Sequence, residues 1–263
     1  VHIHGDWSDF LFSKILARAL SAKIVLATVH DSISMSKYPL YRFALAHCKL
    51  VFATGKREQR VLKYLLGRET YHLPSASRDI FFRSPPRASM GPMIDVISVA
   101  NFIDKKRLDL ILECAARRPN LRFAICGDGP QFNHLIARSK AENINNVMFL
   151  GNCSSMKIKK TLLNSKVFLL TSEREGTPTA LLEAMAVGLP VVVTPSNDYD
   201  WLIESGVNGY VTDSWSACEL ATKVDWVLAE NLSSSSIRQK VVQHNWSAKA
   251  EFINSLILKE QAH

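Results

Sequence analysis

Residues 171–190 read T-S-E-R-E-G-T-P-T-A-L-L-E-A-M-A-V-G-L-P, directly after the apolar run Val167-Phe168-Leu169-Leu170. That run carries no charge, as a strand buried on both faces does not. A short polar loop follows it. Ala180, Leu181, Leu182, Ala184, Met185 and Ala186 then make a helix-favouring segment. Thr177 or Thr179 can cap that helix, and Pro178 suits its first turn. Gly188 and Pro190 end it, and Val191-Val192-Val193 opens another apolar run. Strand, loop, helix and strand in this order form a βαβ unit, which requires the two strands to be parallel.

The same alternation extends outward in both directions. Strands are expected at 23–28, 49–54, 70–73, 94–100, 121–126, 147–150, 167–171, 191–194 and 209–211. Helices are expected at 9–20, 56–66, 107–116, 131–141, 155–164, 179–187, 216–229 and 247–258, with Gly67 capping the second of them. The fold class is therefore α/β, doubly wound around parallel sheets. Residues 84–92, S-P-P-R-A-S-M-G-P, interrupt the alternation and read as a linker. They divide the chain into domains at 1–86 and 87–246, leaving 247–263 as a terminal helix that packs back on the first domain. The polar stretch 233–236 reads as a helix boundary.

The chain has 263 residues, 47% of them apolar, enough for one large or two modest cores. No apolar run reaches the roughly 18 residues that span a bilayer. The stretch from Val1 shows no charged segment ahead of an apolar one, so no signal peptide is read there. Cys48, Cys114, Cys126, Cys153 and Cys218 are widely spaced and odd in number. They form neither a disulfide framework nor a zinc site, and are expected to be buried free thiols of a cytoplasmic protein. The net charge of +8 is unevenly placed. Residues 1–87 hold fourteen Lys/Arg against six Asp/Glu, whereas the remainder holds eighteen of each. Such a front-loaded excess suits an anionic membrane surface or a phosphate-bearing acceptor, or simply keeps the domain soluble. The basic residues lack the aromatic interleaving of a nucleic-acid motif. Lys14, Arg18, Lys56, Arg57, Arg60 and Lys63 fall on two expected helices and are the candidates for a peripheral membrane face.

The loop after the run 167–170 is where chemistry concentrates. Free N–H groups at the start of a helix form an anion site. Gly176 lets a ligand approach the backbone. Glu175 and Glu183 place two carboxylates at the C-terminal end of a parallel strand, where open α/β sheets bind ligands. On these residues alone, a plain loop with two solvated glutamates fits as well. Asp198-Tyr199-Asp200 reads as a pair of loop acids rather than a metal site.

Glu175 and Glu183, with seven residues between them, and the surrounding E-G-T-P-T-A-L-L-E-A-M-A-V-G-L-P resemble the donor-site signature of glycosyltransferase family 4. The resemblance implies a retaining enzyme of the GT-B fold, with two Rossmann-like domains. In that family the first glutamate contacts the transferred sugar and the second the nucleotide ribose, which here are Glu175 and Glu183. The backbone of Gly176, Thr177, Thr179 and Ala180 would hold the diphosphate. The segment S-V-A-N-F-I-D-K-K-R, residues 98–107, is similar to one that carries an Arg and, five residues on, a Lys. Lys106 occupies the Lys position, and Asn101 stands where Arg is usual. Gly127 and Gly129 lie in a segment that looks like the family's Gly-Asp-Gly-Pro turn, whose glycines would permit backbone approach to the nucleotide, and V-M-F-L-G at 147–151 resembles the strand near the nucleobase. H-I-H-G at 2–5 and T-V-H-D at 28–31 look like family strand ends, and His30 is the candidate beside the transferred sugar. Further strands ordinarily precede the position of Val1, so the first domain is expected to be incomplete, with its edge covered by a partner chain or an upstream segment, or else poorly stable in isolation.

The function this implies is transfer of a sugar from a nucleotide diphosphate sugar to a hydroxyl acceptor with retention, in glycan, polysaccharide or glycolipid synthesis. No metal and no cofactor are required. Two alternatives stay open: a non-catalytic GT-B module that binds nucleotide or supports a partner subunit, and an epimerase or phosphorylase on the same fold.

Overall fold

The computed structural model describes residues 2–5, 9–10, 24–30, 37–83, 94–196, 199 and 201–261. The chain divides into two units. One comprises Val1–Ala76, Arg174–Pro178 and Trp246–His263, and the other Ser77–Glu173 and Thr179–Asn245. Most of the first expected helix, the linker at 84–92, and Asp198 and Asp200 of the Asp-Tyr-Asp segment lie outside the described residues, as do Lys14 and Arg18.

Among the described residues of the first unit four parallel strands stand in the order β1-β2-β3-β4: β1 His2–Gly5, β2 Leu26–Val29, β3 Leu50–Ala53 and β4 Tyr71–His72. The runs Leu-Ala-Thr-Val and Leu-Val-Phe-Ala are buried at every position. Their alternate residues serve two opposite cores. Ala27, Val29, Val51 and Ala53 pack with Tyr41, Ala44 and Leu45 of α1 (Tyr38–Leu45) and Leu62 of α2 (Lys56–Leu66). Leu26, Leu50 and Phe52 pack with Leu256, Ile253 and Ile257 of the terminal helix α10, Trp246–Gln261. Each such fully buried aliphatic side chain contributes about 1.5–3 kcal/mol. Gly67 ends α2 at φ +62°, donating its N–H to the Lys63 carbonyl at 3.0 Å.

The second unit holds α3 Asp79–Phe82, β5 Ile94–Val99, α4 Asp109–Arg117, β6 Phe123–Cys126, α5 Phe132–Ala141, β7 Val147–Gly151, α6 Ser155–Leu163, β8 Ser165–Leu170, α7 Thr179–Ala186, β9 Val191–Val193, β10 Gly209–Val211, α8 Ala217–Ala229 and α9 Ser234–Val241. Among its described residues the six strands are all parallel, in the order β10-β9-β8-β5-β6-β7. The chain therefore starts in the middle, winds outward through β6 and β7, returns to β8 beside β5, and winds out the other way. Alternation again feeds two cores. Phe168, Leu170, Val191 and Val193 lie in one, and Val167, Leu169 and Val192 in the other.

Several expectations need correction. Helix α1 lies outside the expected set, although Pro39 in its first turn and the spacing of Tyr41, Ala44 and Leu45 signal it. Helix α9 also lies outside the expected set, although the polar stretch 233–236 is the helix boundary it was read as: the Ser233 hydroxyl accepts from the Ser236 N–H and caps α9. The thiols are free, but Cys153 is half-buried and Cys218 exposed. Burial pushes the Cys48 thiol up to about 11, and Cys114 up to about 12. Among the described residues no helix is long and apolar enough to cross a membrane.

Candidate functional site

A doubly wound parallel sheet leaves a crevice where its winding reverses, because the loops on either side of that point leave toward opposite faces. In the second unit the reversal lies between β5 and β8. The segment after β5 carries Asn101 and Lys106, and the loop and helix after β8 lead to Thr179, Ala180 and Glu183. These two segments thus leave the sheet on either side of the reversal although they stand far apart in the sequence.

The loops around it are fixed by their own hydrogen bonds. After β5 a single 3-10 turn spans Asp104–Lys106 and ends at Arg107, a non-glycine residue at φ +46°. That uncommon conformation is held by the Asp109 carboxylate, which accepts from Arg107 Nε at 3.1 and 3.2 Å and from Nη2 at 3.0 Å. The Thr171 hydroxyl donates to the Lys106 carbonyl at 2.8 Å, and the Glu173 N–H donates to the Lys105 carbonyl at 2.8 Å. The two flanks are thereby stitched together. The Ser172 carbonyl accepts from Thr194 Oγ1 at 2.6 Å and from Trp215 Nε1 at 3.2 Å, which anchors the loop from its other side. Lys106 is half-buried and Asn101 is exposed.

Glu183 is not a solvated helix residue. It is only 3% exposed, on a helix whose other buried members are Leu181, Leu182, Ala184, Met185 and Ala186. Burial holds its carboxyl above the usual range, and the hydrogen bonds and charge of Arg78 offset part of that rise. Arg78 donates to Glu183 Oε1 from Nε at 3.1 Å and from Nη2 at 2.8 Å. Thr179, at the start of α7, is exposed, and Ala180 is half-buried. The glycines of the Gly-Asp-Gly-Pro turn have a packing reason to be glycine. A Cβ on Gly127, at φ +140°, would lie 1.9 Å from the Ala100 carbonyl oxygen, and one on Gly129 would lie 2.8 Å from that of Phe102. The turn is pressed against the segment that leads to Lys106.

The first unit gathers the other candidates. The Thr54 hydroxyl donates to the His30 carbonyl at 3.0 Å, and the Thr177 hydroxyl donates to the Thr54 carbonyl. A Cβ on Gly176 would lie 2.2 Å from Thr54 Oγ1 and 2.8 Å from the His30 carbonyl oxygen, so the close approach expected at this glycine is made by the chain itself. Glu175 is half-buried in the same segment. His30, at the C-terminal end of β2, shares a 2.9 Å hydrogen bond with His4, Nε2 to Nδ1, and the ring of His2 stacks on His4 at 4.3 Å between centroids. Burial, together with the charges of His4 and Lys249, pushes His2 down to about 4. His4 is lowered by burial and by the charges of His30 and Lys249.

Sequence reasoning missed Arg78, Lys249, Trp215 and the His4–His30 pairing. Nothing in the local sequence marks Arg78, which stands 105 residues from its carboxylate. The pairing of His4 with His30 follows from the parallel register of β1 and β2, in which His4 stands beside Thr28. Among the described residues no group of three or more potential ligands is placed to hold a metal ion.

Comparison with known proteins places the chain among enzymes. The family model described as glycosyl transferases group 1 matches residues 84–245. The amylovoran biosynthesis glycosyltransferase AmsK of Erwinia amylovora is 32% identical over 148 residues, 51% of this chain and 36% of the relative. The phosphatidylinositol N-acetylglucosaminyltransferase gpi3 subunit of Schizosaccharomyces pombe is 26% identical over 209 residues, covering 74% of this chain and 46% of the relative. The chain thus spans less than half the length of these curated relatives. Among solved structures, Anabaena HepE in complex with UDP superposes with a TM-score of 0.82 at 17% identity, over 98% of this chain and 78% of that one. These neighbours share the GT-B fold of Rossmann-like domains.

Proposed function

Because the chain belongs to the group 1 glycosyl transferases, we propose that it moves a sugar from a uridine diphosphate sugar to a hydroxyl acceptor, with retention at the anomeric carbon, in the synthesis of a polysaccharide or glycolipid. The observation that carries the reading is the reversal of winding between β5 and β8, with Lys106 in the segment after one strand and the α7 start and buried Glu183 after the other. The bond from the anomeric carbon to the diphosphate oxygen breaks, one to the acceptor oxygen forms, and the acceptor's hydroxyl proton passes to the departing diphosphate. The protein's part is to position both substrates and to stabilise the leaving diphosphate. Lys106 and the N–H groups at the start of α7 supply that stabilisation, with no metal needed. Asn101 contributes no charge, so Lys106 and the helix dipole carry the task. Gly127 and Gly129 hold the turn against the nucleotide side, Glu183 takes the ribose, and Glu175 and His30 attend the transferred sugar. Uridine is the choice because similar folds were solved with UDP.

A thermal-shift comparison of UDP, GDP and ADP tests the reading. UDP at about 100 times its dissociation constant is expected to add about 2.7 kcal/mol of stability. A melting temperature that none of the three moves would refute donor binding. The anomeric configuration of the product, read by proton coupling, tests retention.

We also propose a peripheral encounter of the first unit with an anionic membrane that presents a lipid-linked acceptor. On α2 the exposed residues Arg57, Arg60, Lys63 and Tyr64 recur at helical spacing along one side. Lys63 spends part of its charge on Glu69, at 2.6 Å. Each cation near anionic lipid contributes about 1 kcal/mol, fading within a Debye length. Sedimentation with anionic vesicles at low salt, lost at high salt and absent with neutral vesicles, is the expected result. No sedimentation at low salt would leave a soluble acceptor.

A further inference from the structure

We infer that Arg78 is a positioning residue that keeps Glu183 ionised and reserves one of its oxygens for the nucleotide ribose. The inference rests on the ribose role proposed above. It starts from a burial problem. A carboxylate that is 3% exposed among Leu181, Leu182, Met185 and two alanines takes up a proton unless something compensates its charge. Among the described residues Arg78 is the side chain that does so.

The geometry is one-sided. Arg78 Nε and Nη2 both donate to Oε1, at 3.1 and 2.8 Å, instead of spreading over both carboxylate oxygens. Oε2 accepts nothing from the described residues, and it is not among their sealed, unpartnered polar atoms. One oxygen is thus committed and the other is available as an acceptor. The guanidinium is itself held. Its third nitrogen, Nη1, donates to the hydroxyl of Ser155, the first residue of α6, and its central carbon lies 5.3 Å from the Phe81 ring centroid. An arginine fixed in this way orients its carboxylate as well as neutralising it, since a guanidinium donates in a rigid plane. The burial is unequal: the Arg78 side chain is 47% exposed. Losing Arg78 strands a charge in the interior, whereas losing Glu183 leaves a cation that water can solvate.

A purely structural ion pair would show the same distances, so the test must read ribose recognition rather than stability. The quantity is the ratio of dissociation constants for 2′,3′-dideoxy-UDP and UDP, measured by calorimetry at pH 6 and pH 8. Titration of the phosphate cancels in that ratio. The wild-type chain is expected to favour UDP by about tenfold or more at both pH values. Arg78→Gln is expected to bring the ratio to about threefold or less at pH 6 and to regain part of it at pH 8, where the carboxyl ionises. Arg78→Lys, which keeps the charge but not the planar pair of donors, should fall between them. Glu183→Gln should match the low ratio at both pH values.

An Arg78→Gln variant that melts earlier but keeps the wild-type ratio would overturn the inference and leave a structural pair. If that variant does not fold, Arg78→Lys decides, and an unchanged ratio overturns the inference. A wild-type ratio near one would overturn the ribose role of Glu183 and, with it, that of Arg78. A wild-type chain that fails to bind UDP would refute the proposed donor itself.

Discussion

Glu183→Ala is expected to weaken binding of UDP by about 10- to 150-fold, the 1.5–3 kcal/mol of hydrogen bonds to a charged acceptor. Its effect on folding should be smaller, about 1 kcal/mol, because the arginine it releases is 47% exposed and becomes hydrated. Glu175→Ala is expected to behave differently. Free UDP should bind within about twofold of normal, while turnover of the sugar nucleotide falls on the order of 100-fold, as when one group serving only the transition state is removed. Calorimetry with UDP and with the sugar nucleotide, together with a turnover assay, separates the two. Normal UDP binding by Glu183→Ala would remove the ribose from its role. Equal losses of both ligands in Glu175→Ala would mean that this loop supports the fold instead of the sugar.

Gly127→Ala should be among the most damaging single changes to the second unit. The added Cβ would meet the Ala100 carbonyl oxygen at 1.9 Å, on backbone at φ +140°, where side chains are strained regardless of space. Overpacking and backbone strain each cost about 1–3 kcal/mol, so a loss of about 4 kcal/mol is expected, near 10 °C in melting temperature. The control is Gly67→Ala. That glycine is also at positive φ, +62°, but a Cβ there meets nothing within 4 Å. About 1–2 kcal/mol should be lost, the ordinary cost of a left-handed alanine. The difference between the two isolates the close packing of the Gly-Asp-Gly-Pro turn on the Ala100–Phe102 backbone. Equal losses would mean that the turn can move away, and that the crevice beside it is softer than its hydrogen bonds indicate.

The sequence by itself determined the elements and their direction. Strands such as 167–170 and 191–193 are unbroken apolar runs, because alternate residues serve opposite cores and neither face meets water. Intervening helical segments then force the strands to be parallel. The same local information marked Gly67 as a helix cap. Short-range patterns suffice for such features because burial and capping act over a few residues. Helix α1 went unread although Pro39 in its first turn and the spacing of Tyr41, Ala44 and Leu45 signal it.

Tertiary structure alone decided which side chains meet. The strand order brings β5 beside β8, so that the Thr171 hydroxyl reaches the Lys106 carbonyl. The register of β1 against β2 brings His4 to His30. The ion pair of Arg78 with Glu183 joins α7 to a segment 105 residues away in sequence. No local pattern encodes such a pairing, because a buried carboxylate needs a partner but its own neighbourhood does not specify which cation will supply it. That choice depends on how the crossovers wind, and winding is a property of the folded sheet. It also converts Glu183 from one of two glutamates on a helix into a carboxylate with one committed oxygen and one available.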